Sequence, residues 1–99
     1  MFSEKDKNKL FIAMAAKLAK DRKERNLKLN YTEATAYIVH ETTEYVRDGH
    51  GLSDAMVFGA TLLKVEDVMD GVAETLKQIF VEATFNDGTR SFTIHKPIR

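Results

Sequence analysis

The chain contains no cysteine and no tryptophan, and its only proline is Pro97. Without cysteine there is no disulfide framework and no thiolate metal site. The 15 basic and 15 acidic side chains leave no net charge when histidine is neutral. This balance argues against a general nucleic-acid-binding protein, which carries a basic excess. No apolar run approaches the ~20 residues that span a bilayer, so we expect no membrane segment.

The length of 99 residues predicts a single domain over residues 1–99, because it leaves no room for two separate cores. A seven-residue apolar run at 10–16 follows several lysines, as in a secretory signal. However, Glu4 and Asp6 lie where such a signal is basic, and Lys17 interrupts directly after the run. We therefore expect a cytoplasmic protein without a leader, in keeping with the lack of cysteine.

The first predicted helix begins after Ser3, which forms a capping box with Asp6, and runs for about 20 residues. Asn26 is a suitable stop residue. An apolar stripe follows this helix at three- and four-residue spacing, and further apolar residues broaden it beyond one face. Such a helix is often packed between two neighbours. The stripe consists of Leu10, Phe11, Met14, Ala15, Leu18 and Ala19, broadened by Ile12, Ala13 and Ala16.

The second predicted helix runs from Tyr31 to Arg47, after a capping box formed by Asn30 and Glu33. Gly49 ends it, because glycine readily adopts the left-handed conformation. The short link between the two helices predicts an antiparallel pair.

Shorter helices are predicted next. Ser53 is the expected cap of a third helix over residues 54–63, and a fourth is expected over residues 66–70. Residues 72–77 carry no pattern that distinguishes a helical turn from a loop. Gly59 lies inside the third helix, where glycine costs ~1 kcal/mol relative to alanine. We therefore expect another backbone to approach closely at Gly59.

The C-terminal segment predicts a β-hairpin around Asp87-Gly88, a strong two-residue turn signal. With these two residues as the loop, Val81 faces Ile94 on an apolar face and Phe80 faces His95 on the other face. The apolar face must lie on the helices, since one hairpin is marginal alone. We expect another chain to cover the outer face. The predicted fold class is therefore α+β: an antiparallel bundle of three to four helices followed by a C-terminal two-stranded hairpin.

Few residues in the sequence suggest chemistry. His40, His50 and His95 do not have the three- or four-residue spacing of a helical ligand pair, so we expect no metal site and no cofactor site in this chain. No phosphate-binding glycine motif and no nucleophile elbow are present. We therefore expect no catalytic residue.

Two other functions remain open as alternatives to a structural role. The basic run at 17–25 suggests a small nucleic-acid-binding helical module, although acidic residues interrupt the run and the net charge is zero. The second alternative is a small free-standing enzyme that uses Glu66, Asp70 or His95. Against it, Glu66 begins a predicted helix, where a negative charge is favourable in any case.

Five segments resemble the γ subunit of bacterial urease in their order and spacing, and the resemblance covers nearly the whole chain. The segments are LKLNYTEA at 27–34, RDG at 47–49, VMDGV at 68–72, VEATFNDGTR at 81–90 and IHKPI at 94–98. The resemblance implies a small α+β subunit of a cytoplasmic, nickel-dependent amidohydrolase that converts urea to ammonia and carbamate. It implies α and β partner chains in a three-fold assembly of heterotrimers, with both nickel ions in the α chain.

The chain differs from the family pattern at Thr32, Tyr45, Val46 and Ala73. These departures leave the subunit role as expected and affect only the details of the assembly. The sequence ends soon after Pro97, which predicts a separate γ chain rather than a γ–β fusion. The residues that we expect to contact partner chains are Tyr45, Phe80 and His95.

Overall fold

Four helices and one β-hairpin, in that order, make up the computed structural model, which describes residues 1–99. The α+β fold class predicted from the sequence is therefore confirmed. No helix combines the length and the apolar character that a bilayer crossing requires. The elements are α1 (Glu4–Glu24), α2 (Tyr31–Arg47), α3 (Leu52–Gly59), a 3₁₀ turn (Val65–Asp67), α4 (Val72–Thr75), β1 (Gln78–Phe85) and β2 (Gly88–His95).

Both long helices begin with the capping boxes that the sequence predicts. The Ser3 hydroxyl accepts a hydrogen bond from the Asp6 N–H, and the Asp6 carboxylate accepts one from the Ser3 N–H. Asn30 and Glu33 form the same reciprocal pair at the start of α2. Asn26 follows α1 in the left-handed region, with φ of 63°. These residues satisfy backbone groups that the helix ends leave free, which is why both helices have the predicted limits.

The sequence predicted one apolar stripe on α1, but only part of that stripe packs on α2. Ala16 and Ala19 are buried and Ile12 is half-buried, whereas Leu10, Phe11, Met14 and Leu18 are exposed. Small residues let two helix axes approach closely, so the alanine face forms the contact with α2. Arg22 of α1 is ion-paired with Glu33 of α2, which ties the two helices together near their link.

The third helix begins two residues earlier than predicted, at Leu52, and it ends at Gly59. Gly51 is its N-cap, and no side chain caps it, so the prediction of Ser53 as the cap was wrong. Ser53 lies within the first turn instead.

The predicted helix over residues 66–70 was also wrong, because backbone pairing with the α1–α2 link replaces it. The Leu29 N–H donates to the Asp67 carbonyl at 2.9 Å, and the Met69 N–H donates to the Leu29 carbonyl at 2.9 Å. Val68, between them, is buried and forms an isolated bridge with Leu29. Only the 3₁₀ turn remains, and α4 begins after Gly71.

The hairpin loop lies one residue earlier than predicted. Phe85 pairs with Gly88, so the loop is Asn86-Asp87. A type I′ turn needs positive φ at both central residues, but neither Asn86 nor Asp87 has it; Gly88 does, with φ of 128°. Glycine therefore lies just after the loop rather than within it.

This loop shifts every strand pair by two residues. Val81 pairs with Phe92, where the sequence predicted Ile94, and Phe80 pairs with Thr93, where it predicted His95. A shift of two residues preserves which face each side chain occupies, because side chains alternate with period two. The apolar face therefore remains intact, and it packs on α2 and α3 as predicted.

Candidate interaction surface

An exposed apolar surface of several side chains follows α1. We call the four residues Leu10, Phe11, Met14 and Leu18 the α1 stripe. Phe11 is 69% exposed and Met14 is 68% exposed, while Leu10 and Leu18 are each 51% exposed. Their spacing puts them on one side of the helix, away from the alanines that contact α2. Single exposed apolar residues are normal, but a contiguous patch marks an interaction site.

An apolar groove between α1 and α2 adjoins the stripe. Its volume is about 340 Å³. Most of its lining is apolar: Phe11, Ile12, Ala15, Tyr31, Ala36 and Val39. Phe11 belongs to both the groove and the stripe, so the two form one continuous surface.

A second depression, which we call the β1 trough, lies between the first turns of α1 and strand β1. Its volume is about 560 Å³. Ile12, Tyr31 and Val39 line both the trough and the α1–α2 groove. On the other side it is lined by the consecutive residues 78–82 of β1. The apolar surface therefore extends from α1 to the hairpin.

Two of the predicted contact residues lie on the outer face of the hairpin. Phe80 is 73% exposed, and His95 is exposed as well. His95 pairs with Gln78 rather than with Phe80, so the two predicted residues are diagonal neighbours on one face. Their role in contacting a partner stays a prediction.

The third predicted contact residue, Tyr45, is half-buried in a stack of three rings. Its ring centroid lies 3.7 Å from that of His50 and 3.9 Å from that of Phe58, with interplanar angles of 6° and 4°. Two rings that are this close and nearly parallel to a third must lie on its opposite faces. Only the edge and the hydroxyl of Tyr45 are therefore free to reach a partner.

The basic run at 17–25 lies on the second half of α1, and two of its arginines are paired. Arg25 contacts Asp21, and Arg22 contacts Glu33. Burial raises the pKa of Glu33, but the Asn30 N–H at 2.9 Å and the Arg22 guanidinium outweigh it and lower the pKa below its usual value. The Glu33 carboxylate is thus held ionised at the junction of α1 and α2.

The histidines and carboxylates that the sequence singled out do not converge. His40 is half-buried on α2, His50 belongs to the ring stack and His95 ends β2. Glu66 and Asp70 are exposed. Nowhere in the chain do three or more histidine, aspartate or glutamate side chains lie together as a metal site requires.

Comparison with known proteins identifies the family. The model of the family described as "Urease, gamma subunit" matches residues 1–98. The chain belongs to the urease gamma subunit family. It is 50% identical over 97 residues to the urease subunit gamma of Methylocella silvestris, and 47% identical to those of Actinobacillus pleuropneumoniae serotype 5b and Haemophilus influenzae. Each alignment covers 98% of this chain and 97% of the relative.

The urease gamma resemblance deduced from the sequence is thus confirmed, whereas the α1 stripe was not among the predicted contact residues. The sequence did contain a signal for it. The apolar surface of α1 is wider than one neighbouring helix covers, and it separates into small and large residues. Ala16 and Ala19 suit close packing between helices, which leaves Phe11 and Met14 for another contact.

Proposed function

We propose that this chain is a non-catalytic structural subunit of urease, the nickel-dependent amidohydrolase that hydrolyses urea to ammonia and carbamate. It acts by assembly with the α and β chains, in a cytoplasmic three-fold set of heterotrimers. Membership of the urease gamma family supports the urease context. The single observation that carries the assembly role is the α1 stripe.

The α1 stripe supports assembly because its side chains gain from leaving water. Complete burial of a leucine, methionine or phenylalanine contributes about 1.5–3 kcal/mol, and Phe11 and Met14 are more than two-thirds exposed. No element of this chain covers them. A partner chain that covers these side chains binds the folded form of this chain. By mass action, this binding stabilises the folded form of the partner.

The donor set of this chain does not fit a nickel site. Its three histidines lie on different elements, and one of them is stacked on Tyr45. Our proposal therefore assigns both nickel ions and the catalytic residues to the α chain. The part that this chain contributes is contact area, from the α1 stripe and from the outer-face residues Phe80 and His95, with the edge of Tyr45 as a further contact.

The proposal is tested by expressing the chain alone and together with urease α and β chains. We expect the isolated chain to hydrolyse no urea, even with nickel, and the co-expressed chains to co-purify as an active complex that contains nickel. Urea hydrolysis by the isolated chain, or failure to co-purify, would refute the proposal.

Surface variants test the α1 stripe itself. Met14→Glu places a carboxylate in the proposed contact, and we expect it to weaken assembly ~100-fold or more, because a buried unpaired charge is costly. Lys20→Gln is the matched control: it changes the net charge equally, at an exposed position about 120° away around the helix. Equal assembly by both variants would contradict the role of the stripe. Phe80→Ala with His95→Ala tests the hairpin face in the same assay.

A further inference from the structure

Strand β1 has an unpaired edge, because the sheet contains only two strands. In an antiparallel pair, residues alternate between those bonded to the neighbouring strand and those whose peptide groups point away from it. The Lys96 N–H donates to the Lys77 carbonyl at 2.8 Å, so the peptide groups of Lys77 point toward β2. Every second residue after Lys77 points toward β2 as well, and the residues between them point away. The peptide groups that point away from β2 are therefore those of Gln78, Phe80, Glu82 and Thr84.

The β1 trough runs along this edge rather than over one face of the sheet. Consecutive residues 78–82, whose side chains alternate between the two faces, all line it. A further depression of about 410 Å³ continues along residues 82–84, with Arg47 of α2 on its other side. Open space thus follows nearly the whole length of the unpaired edge.

Little in the chain protects this edge from another strand. β1 contains no proline, and its pairing with β2 is continuous over eight residues without a bulge. Exposed edges of this kind are usually blocked by such features. An ion pair crosses the trough, from Lys5 Nζ to Glu82 Oε1 at 2.7 Å, between side chains that are 69% and 45% exposed. Both are long and flexible enough to turn aside.

We propose that an extended segment of another urease subunit adds to the free edge of β1 as a third strand. Outward-pointing N–H and C=O groups at alternate residues are complementary to an extended backbone. A helix cannot satisfy them, because its own backbone groups are bonded internally. This inference rests on the proposed function, since it assumes that the chain is a subunit of urease.

The walls of the trough indicate the sequence of the added segment. Side chains on one face of a third strand would meet Ile12, Tyr31 and Val39, and those on the other face would lie beside Phe80. The first environment is largely apolar, whereas Phe80 is flanked on its face by the polar residues Gln78 and Glu82. The segment therefore carries apolar residues on its inner face, and on its outer face one apolar residue beside Phe80 among polar ones.

Hydrogen exchange provides the first test. Amide exchange is measured residue by residue in the isolated chain and in the complex with urease α and β chains. We expect the Phe80 and Glu82 amides to exchange ~10-fold or more slowly in the complex, because only a bonded amide is protected in this way. The Ser91 amide, on the opposite edge of the hairpin, should change little. Unchanged exchange at Phe80 and Glu82 would overturn the inference.

Proline substitution provides the second test. Glu82→Pro removes an outward N–H without removing a β1–β2 hydrogen bond, and proline is tolerated at such edge positions. Glu82→Ala removes the same side chain but keeps the N–H. Ser91→Pro is the second control: Ser91 lies directly opposite Glu82, so it places the same proline on the other edge of the hairpin. We expect Glu82→Pro alone to weaken assembly, by ~10-fold or more relative to both controls, because a partner carbonyl loses its donor.

The outcomes separate this inference from the proposed function. If the wild-type chain does not assemble with α and β chains, the proposed function fails. If it assembles but Glu82→Pro behaves as Glu82→Ala, or Ser91→Pro causes an equal loss, only the third strand is excluded. Circular dichroism of each isolated variant reports whether it folds. Should Glu82→Pro not fold, hydrogen exchange in the wild-type complex decides alone.

Discussion

Gly59 is the position where one added methyl group tests the packing of the core most directly. It is buried at the end of α3, against β2 and α2. A Cβ at this position would overlap Ile94 Cδ1 and would lie 3.0 Å from both Ile94 Cγ1 and Thr42 Oγ1. Ile94 and Thr42 are themselves fully buried, so neither can move into solvent. The sequence predicted that another backbone approaches Gly59, and this was wrong in kind: the close neighbours are the side chains of Ile94 and Thr42.

Two opposing effects decide the stability of Gly59→Ala. Alanine is favoured over glycine within a helix by about 0.5–1 kcal/mol. Overfilling a well-packed core costs about 1–3 kcal/mol. Because Ile94 is fully buried, we expect the packing cost to exceed the helix gain. The free energy of unfolding should fall by about 1–2 kcal/mol, which lowers Tm by roughly 4–16 °C in a domain of this size.

A double-mutant cycle with Ile94→Val isolates this contact. Valine lacks the Cδ1 atom that the new methyl group overlaps, and Ile94→Val alone should cost about 0.5–1.5 kcal/mol. In the double variant the new methyl fills the vacated space, so its stability should exceed the additive value by about 1–2 kcal/mol. Urea denaturation of the isolated chains, followed by circular dichroism, measures all four species. Additive losses, or a more stable Gly59→Ala variant, would refute the reasoning.

Two further predictions concern Glu33 and Tyr45. The pKa of Glu33 is lowered from 4.5, so its stabilising effect is present above pH 4.5 and is lost as the pH falls through the lower folded value. The difference in unfolding free energy between the wild type and Glu33→Gln should therefore shrink on acidification, and urea denaturation between pH 7 and pH 3 measures it; a constant difference would contradict this. Tyr45→Ala should lower the unfolding free energy of the isolated chain by about 1–3 kcal/mol, because it removes two stacked pairs, whereas Tyr45→Phe keeps them. Unchanged stability in Tyr45→Ala, measured by thermal unfolding, would show that the stack does not hold the fold.

The parts of the fold that could be predicted from the sequence are those that local interactions determine. The limits of α1 and α2 follow from capping boxes, in which residues three apart satisfy each other's backbone groups. The helix expected over 66–70 failed because its carbonyl and amide groups bond to Leu29, nearly forty residues earlier. No local pattern reveals a competitor at that distance.

For the hairpin, the sequence predicted the two faces correctly but not the register of the strands. The alternation of apolar residues fixed the faces of β1 and β2, so Phe80 and His95 were correctly assigned to the outer face. Alternation cannot distinguish registers that differ by two residues, because both keep the same faces. The turn decides between them, and the position of Gly88 after the loop, rather than within it, selected the observed pairing.

The surface proposed for assembly required the structure for a different reason. From the sequence, Leu10, Phe11, Ala16 and Ala19 are all apolar, and all suit a buried helix face. Which of them turns inward depends on how closely α2 approaches, and the alanines allow the closer approach. The larger side chains are then left outside, together with the free edge of β1 across the trough. In a chain without a partner, burial of Phe11 in place of the alanines would remove more apolar surface from water and stabilise the fold further. The use of small residues for the core of this chain is therefore itself an argument for assembly.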